Sequence, residues 1–70
     1  MSKTTYEVAI YNAEVRRLMA EGGRHRQLSD DWADIHYIEI QAQDKEDAKA
    51  KIELRYPSEK GFVVERVEEM

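Results

Sequence analysis

The stretch DIHYIEIQAQDKEDAKAKIELRYPSEKGFVVERV, residues 34–67, changes its apolar period twice, and those changes decide the fold. Over residues 34–43, His36, Ile38, Ile40 and Ala42 share one face, while Ile35, Tyr37, Glu39 and Gln41 share the other. That alternation predicts a strand. Asp44 then offers a carboxylate to the unpaired amides of a first helical turn, and Asp47 adds negative charge there. Ala48, Ile52 and Tyr56 recur every four residues and predict a helix with one apolar stripe. Its expected stop is Tyr56, because Pro57 disfavours helical geometry in the residue before it. Residues 58–61 read as a turn and 62–67 as a closing strand, with Glu68, Glu69 and Met70 expected to fray. A strand–helix–strand unit with a short return predicts a right-handed parallel crossover.

The first half repeats the grammar less regularly. Residues 5–11 read as a strand, with Tyr6, Val8 and Ile10 on one face and Glu7, Ala9 and Tyr11 on the other. Asn12 is a good N-cap for a helix running to about Glu21, whose stripe is Val15, Leu18, Met19 and Gly22. Gly22 and Gly23 supply a left-handed stop. The expected architecture is an α/β (α+β) two-layer sandwich. A three-stranded sheet carries two helices on one face, in the order β-α-β-α-β, as a single small domain over residues 1–70. The long connection over residues 22–33 leaves the direction of the first strand open.

Size and composition set bounds. A chain of 70 residues buries only about 60% of the surface that its unfolded form exposes, so its stability is slim. There is no cysteine, which removes disulfides and thiolate metal sites together. Charged residues make up 37% of the chain, above the roughly 25% of an ordinary soluble domain. Association is then the expected remedy for small size, and a homodimer is its simplest form. The net charge of −4 weighs against a dedicated nucleic-acid binder. No apolar run reaches the roughly 20 residues needed to cross a bilayer, so no membrane partner is expected. MSKTTYEV lacks the apolar core of a signal peptide. A cytoplasmic location follows as the expectation.

Residues 22–37, GGRHRQLSDDWADIHY, hold both histidines and the single tryptophan, so chemistry or recognition is expected there. Arg24, His25, Arg26, Trp32, Asp34, His36 and Tyr37 are the candidate interaction residues. Trp32 would serve as an anchor, Arg24 and Arg26 as partners for an anion, and His36 as a polar group at the strand start. The competing reading has Trp32 and Leu28 tucked against the domain. Leu54 joins the candidates because Ala50 and Leu54 form a second stripe nearly opposite the first. A helix on the outside of a monomer needs one stripe, so the second is either a single scattered exposed leucine, which is common, or part of a subunit or partner surface.

The same residues carry other candidate chemistries. Metal binding by His25, His36, Asp30, Asp31 and Asp34 lacks a spacing that orients the ligands. Ser29 reads as the hydroxyl of a capped turn rather than a nucleophile, and no phosphate loop or nucleophile elbow appears. The expectation is therefore no catalytic residue, no cofactor and no metal, with an acid–base or metal-assisted enzyme using His25, His36 and Asp34 as the third reading. Arg16, Arg17, Arg24, His25 and Arg26 form a basic cluster that would suit nucleic acid or another phosphorylated ligand. Glu14, Glu21, Asp30, Asp31 and Asp34 surround it and pair with it most simply.

IEIQAQDKEDAKAKIELRYPSEKGFVVERV, together with the junction Trp32-Ala33-Asp34 and His36-Tyr37, resembles a pattern seen in small bacterial and phage proteins of unknown function. The shared elements are the strand, the acidic helix start Glu46-Asp47-Ala48, the Tyr56-Pro57 stop and a valine-rich closing strand. The resemblance covers roughly residues 32–67 and implies no activity, ligand or functional residue. The leading expectation is a small non-enzymatic interaction module that forms a homodimer or meets a protein partner. The alternative is a binder of nucleic acid or a phosphorylated ligand through Arg16, Arg17, Arg24 and Arg26.

Overall fold

The structure, a computed structural model, describes residues 3–70. Met1 and Ser2, which begin the stretch read above for a signal peptide, lie outside the described residues. The elements are β1 (Thr4–Asn12), α1 (Ala13–Ala20), a 3-10 turn (Asp30–Ala33), β2 (His36–Ala42), α2 (Lys45–Arg55), a second 3-10 turn (Ser58–Lys60) and β3 (Phe62–Glu69). The order β-α-β-α-β is as expected, and the fold is α+β.

The sheet order is β2-β1-β3, with β1 antiparallel to both neighbours. The first strand, whose direction the sequence left open, is thus the centre of the sheet. β2 and β3 both run against it and are therefore parallel to each other, so α2 is the expected parallel crossover. It joins strands that are not neighbours, because β1 lies between them.

Tyr6, Val8 and Ile10 of β1 face α2, with Ile40 and Ala42 of β2 and Phe62 and Val67 of β3 beside them. Ala48 and Ile52 close this core from the helix, as their spacing predicted. Strict alternation would have put Val67 on the face opposite Phe62 and Val64. A bulge corrects this. Ala9 stands opposite Arg66 and Ile10 opposite Val64, which leaves Glu65 as an extra residue. One inserted residue reverses the facing of everything beyond it, and Val67 joins the core opposite Val8.

The expected fraying of the C-terminal residues is not observed. Glu68 and Glu69 pair with Glu7 and Tyr6, and the Met70 amide donates to the Thr5 carbonyl at 2.9 Å. Because β1 begins at Thr4, those groups have a strand to pair with.

The two helices pack differently. α2 covers the sheet. α1 follows β1 with no loop between them, buries Val15, and packs mainly on the first 3-10 turn. Met19, expected in its apolar stripe, is exposed. α1 is held where it starts. Asn12 is fully buried, and its Oδ1 accepts from the Val15 amide at 3.0 Å, which is the N-cap. Its Nδ2 donates to the Lys60 carbonyl at 3.1 Å, and the Ala13 amide donates to the Gly61 carbonyl at 2.8 Å. Gly61 has φ +95°, and a Cβ there would stand 2.8 Å from Asn12 Oδ1 and 2.9 Å from Glu14 Cβ. The turn between α2 and β3 is thereby clasped to the end of β1.

The outer edge of β2 is partly covered by α2. Asp47 Oδ2 accepts from the Gln43 amide at 3.0 Å, and Lys51 Nζ donates to the Gln41 carbonyl at 2.9 Å. The two side chains also pair with each other at 3.3 Å. Occupied edge groups are not available to a foreign strand.

Asn12→Ala removes the cap and leaves the Lys60 carbonyl without its donor, so it should cost about 1–3 kcal/mol in urea unfolding. Gly61→Ala should also destabilise, since it meets both a left-handed φ and a short contact; wild-type midpoints for both variants would contradict the clasp. Separately, the Gln43 amide first, and then Lys51, hold the Asp47 carboxyl below its ordinary range. A lowered carboxylate stabilises above its unfolded pKa, and that contribution is lost as pH falls through the folded value. Asp47→Asn should therefore lower Tm near neutral pH, and the gap to wild type should narrow as the pH falls below the ordinary aspartate range; a gap that does not narrow in acid would count against the pair.

Candidate functional site

The connection between α1 and β2 is organised by its two histidines. His25 Nδ1 lies 3.0 Å from the Gln27 amide and 3.1 Å from the Leu28 amide. A ring nitrogen that accepts carries no proton, so the hydrogen resides on Nε2. Nε2 donates to Glu14 Oε1 at 3.0 Å. His25 is thus a neutral staple between α1 and the loop. His36 does a different task. Its Nε2 donates to the Asp31 carbonyl at 2.9 Å, and its ring stacks on Trp32 with centroids 4.2 Å apart and planes 18° apart. Phe62 meets Trp32 edge-on at 5.1 Å, and Tyr56 meets it tilted at 5.5 Å. Such offset and edge contacts add to the area that the rings bury. Trp32 is half-buried against the core, as in the reading that tucked it under the domain.

These pieces form a groove of about 790 Å³, within the roughly 300–1,000 Å³ of ordinary ligand clefts. Glu14, Leu18 and residues 24–28 line it from α1 and the connection that follows. Residues 55–57, Glu59 and Lys60 line it from the end of α2 and the turn after it, together with Phe62 of the core and Trp32, which packs on the core. Four cations line it, Arg24, Arg26, Arg55 and Lys60, against two carboxylates, Glu14 and Glu59. Arg24 reaches Asp30 at 3.9 Å, a weak exposed pair. Arg26, Arg55 and Lys60 make no ion pair among the described residues. Cations thus gather at one groove of a chain whose net charge is −4.

The expected basic cluster does not assemble as one surface. Arg16 lies 3.7 Å over the Tyr11 ring, and its Nε donates to the Ala33 carbonyl at 3.0 Å, which ties α1 to the 3-10 turn. Arg17 pairs with Glu21 at 3.7 Å along α1. Neither lines the groove, because a helix turns successive residues to different sides. Ser29 does not cap its turn through the hydroxyl; its carbonyl accepts from the Trp32 amide instead.

The other candidates scatter. Asp34 is exposed at the end of the 3-10 turn. Tyr37 is 57% exposed on the open face of the sheet. That face carries Glu39, Glu7 and Glu68 abreast across β2, β1 and β3. Like charges directly opposite one another are unfavourable, and Arg66 relieves one of them through Glu68 at 3.2 Å. Leu54 is 85% exposed on α2, near Glu39 and Gln41 of β2. No three His, Asp or Glu side chains among the described residues converge as a metal site would require, and His25 and His36 have separate partners.

Arg55, Tyr56, Lys60 and Phe62 were not among the sequence candidates for function. Nothing local marks them. They reach the groove because the Asn12 clasp brings the turn they flank against α1. The signal available was Gly61, the one glycine outside the pair at residues 22–23, beside a lysine and before an aromatic residue.

No family model matches the chain, and no curated protein or solved structure matches it. No helix among the described residues is long and apolar enough to cross a membrane.

Proposed function

We propose that this protein is a small non-enzymatic interaction module whose working surface is the groove between residues 24–28 and 55–60, and that its partner is anionic there. The observation that carries the reading is the concentration of Arg24, Arg26, Arg55 and Lys60 over an apolar floor, in a chain that is acidic overall. Arginine forks match carboxylate and phosphate geometry. Both imidazoles serve the chain's own contacts, which supports recognition over acid–base chemistry. The test is calorimetric titration with two polyanions, polyglutamate and oligothymidine. At least one should bind, and Arg55→Glu with Lys60→Glu should weaken it about tenfold or more, while Arg17→Glu on α1 should not. Absence of binding to both, or equal loss in the Arg17 variant, would contradict the reading.

Self-association as a homodimer is a second reading, favoured by the 85% exposure of Leu54 on α2 beside Glu39 and Gln41. The open sheet face suits it poorly, because two copies packed face to face would crowd their glutamate rows together. A dimer through α2 and β2 should sediment as such at high micromolar concentration and become monomeric in Leu54→Asp. A monomer in both proteins would remove this reading.

A further inference from the structure

Resting on the groove reading, we infer that the occupant is an acidic peptide segment carrying an apolar side chain, which enters the floor while its carboxylates meet the rim.

Three observations separate this chemistry from that of a nucleic-acid strand. The first concerns the aromatic rings. Single strands are held by bases stacked on open aromatic faces. Trp32 has one face under the His36 ring at 4.2 Å, and Phe62 and Tyr56 approach it at 5.1 Å and 5.5 Å. Tyr56 and Phe62 are in turn engaged edge-on with each other at 5.3 Å. The rings are spent on one another, so they offer an apolar floor rather than a stacking platform.

The second concerns charge. A phosphate backbone needs a continuous basic track. Here Glu14 and Glu59 interrupt the cations, and Glu14 is fixed in place by His25 at 3.0 Å. Discrete cations contributed by two separate segments, residues 24–26 and 55–60, suit separate side-chain carboxylates on a peptide. The third concerns the apolar surface of the groove. Leu18, Leu28 and Pro57 line the groove with the rings. A uniformly charged ligand would leave these groups unmatched, whereas a leucine or phenylalanine anchor would cover them, in the pattern of a buried centre and a polar rim.

The loop wall is prepared for this occupant. His25 holds the Gln27 and Leu28 amides at 3.0 and 3.1 Å, so Arg24 and Arg26 project from an ordered segment. A preordered wall lowers the cost of binding.

Three labelled probes test the inference by fluorescence anisotropy on the whole protein at low salt. The first is a ten-residue peptide of aspartate and glutamate with two central leucines. The second replaces those leucines with serine. The third is a ten-nucleotide oligothymidine. The leucine peptide should bind about tenfold or more tightly than the other two. Arg55→Glu with Lys60→Glu should weaken it by a similar factor, with the fold checked by circular dichroism. Oligothymidine binding in the groove without peptide binding would overturn this inference and leave the groove reading intact. Equal affinity for the two peptides would overturn the apolar anchor. Binding of no probe would overturn both. Concentration-dependent self-association abolished by the same charge reversal would assign the groove to a second copy of this chain and overturn the peptide.

Discussion

The buried side chain of Asn12 holds the two halves of this domain together. Its oxygen starts α1 by accepting from Val15, and its nitrogen reaches 48 residues along the chain to the Lys60 carbonyl. An amide can serve both ends because it carries an acceptor and a donor on one planar group. Neither aspartate nor serine, the other common caps, offers that donor in the same geometry. The site tolerates no added bulk, since a Cβ on Gly61 would meet Asn12 Oδ1 at 2.8 Å. Because eleven of the described residues make up the buried hydrophobic core, the loss of one satisfied buried polar group removes a large share of a slim stability.

That clasp also creates the surface on which the functional reading depends. It brings the turn carrying Arg55 and Lys60 against the helix that carries Glu14 and Leu18. The loop wall is organised by His25, and the floor by the stack of His36 on Trp32. The two histidines, which look like chemistry in the sequence, act here as architecture. Each donates from Nε2 to an oxygen of the chain, one to a carboxylate and one to a backbone carbonyl. The resulting charge pattern is two-sided, with cations over apolar surface in the groove and a row of three glutamates on the open face of the sheet.

The elements were legible wherever the physics is local. Asn12 and Asp44 are both observed caps, accepting from the Val15 and Asp47 amides. Gly22 ends α1 with φ +83°, and Ala48 and Ile52 are buried with no exposed surface. The pairing was not legible, because strand order depends on where a long connection leads. The bulge at Glu65 was hidden as well. In FVVERV three apolar residues precede two charged ones and Val67, and only the partner strand fixes which of them face the core. The same division holds for the site. Residues 24–28 and Trp32 stood out by composition, whereas Arg55, Tyr56, Lys60 and Phe62 become neighbours of that loop only after the turn closes on Asn12. Arg16 and Arg17 point the other way: adjacent to the loop in sequence, they serve α1 itself.

The most direct test of the central claim is a nitrogen–proton correlation spectrum of the labelled protein during titration with the leucine-bearing acidic peptide. The Trp32 indole N–H and the amides of Gln27, Leu28 and residues 58–61 should shift together and saturate with one affinity. Shifts centred on Glu7, Glu39 and Glu68, or an unchanged spectrum at millimolar peptide, would contradict a working groove held by the Asn12 clasp.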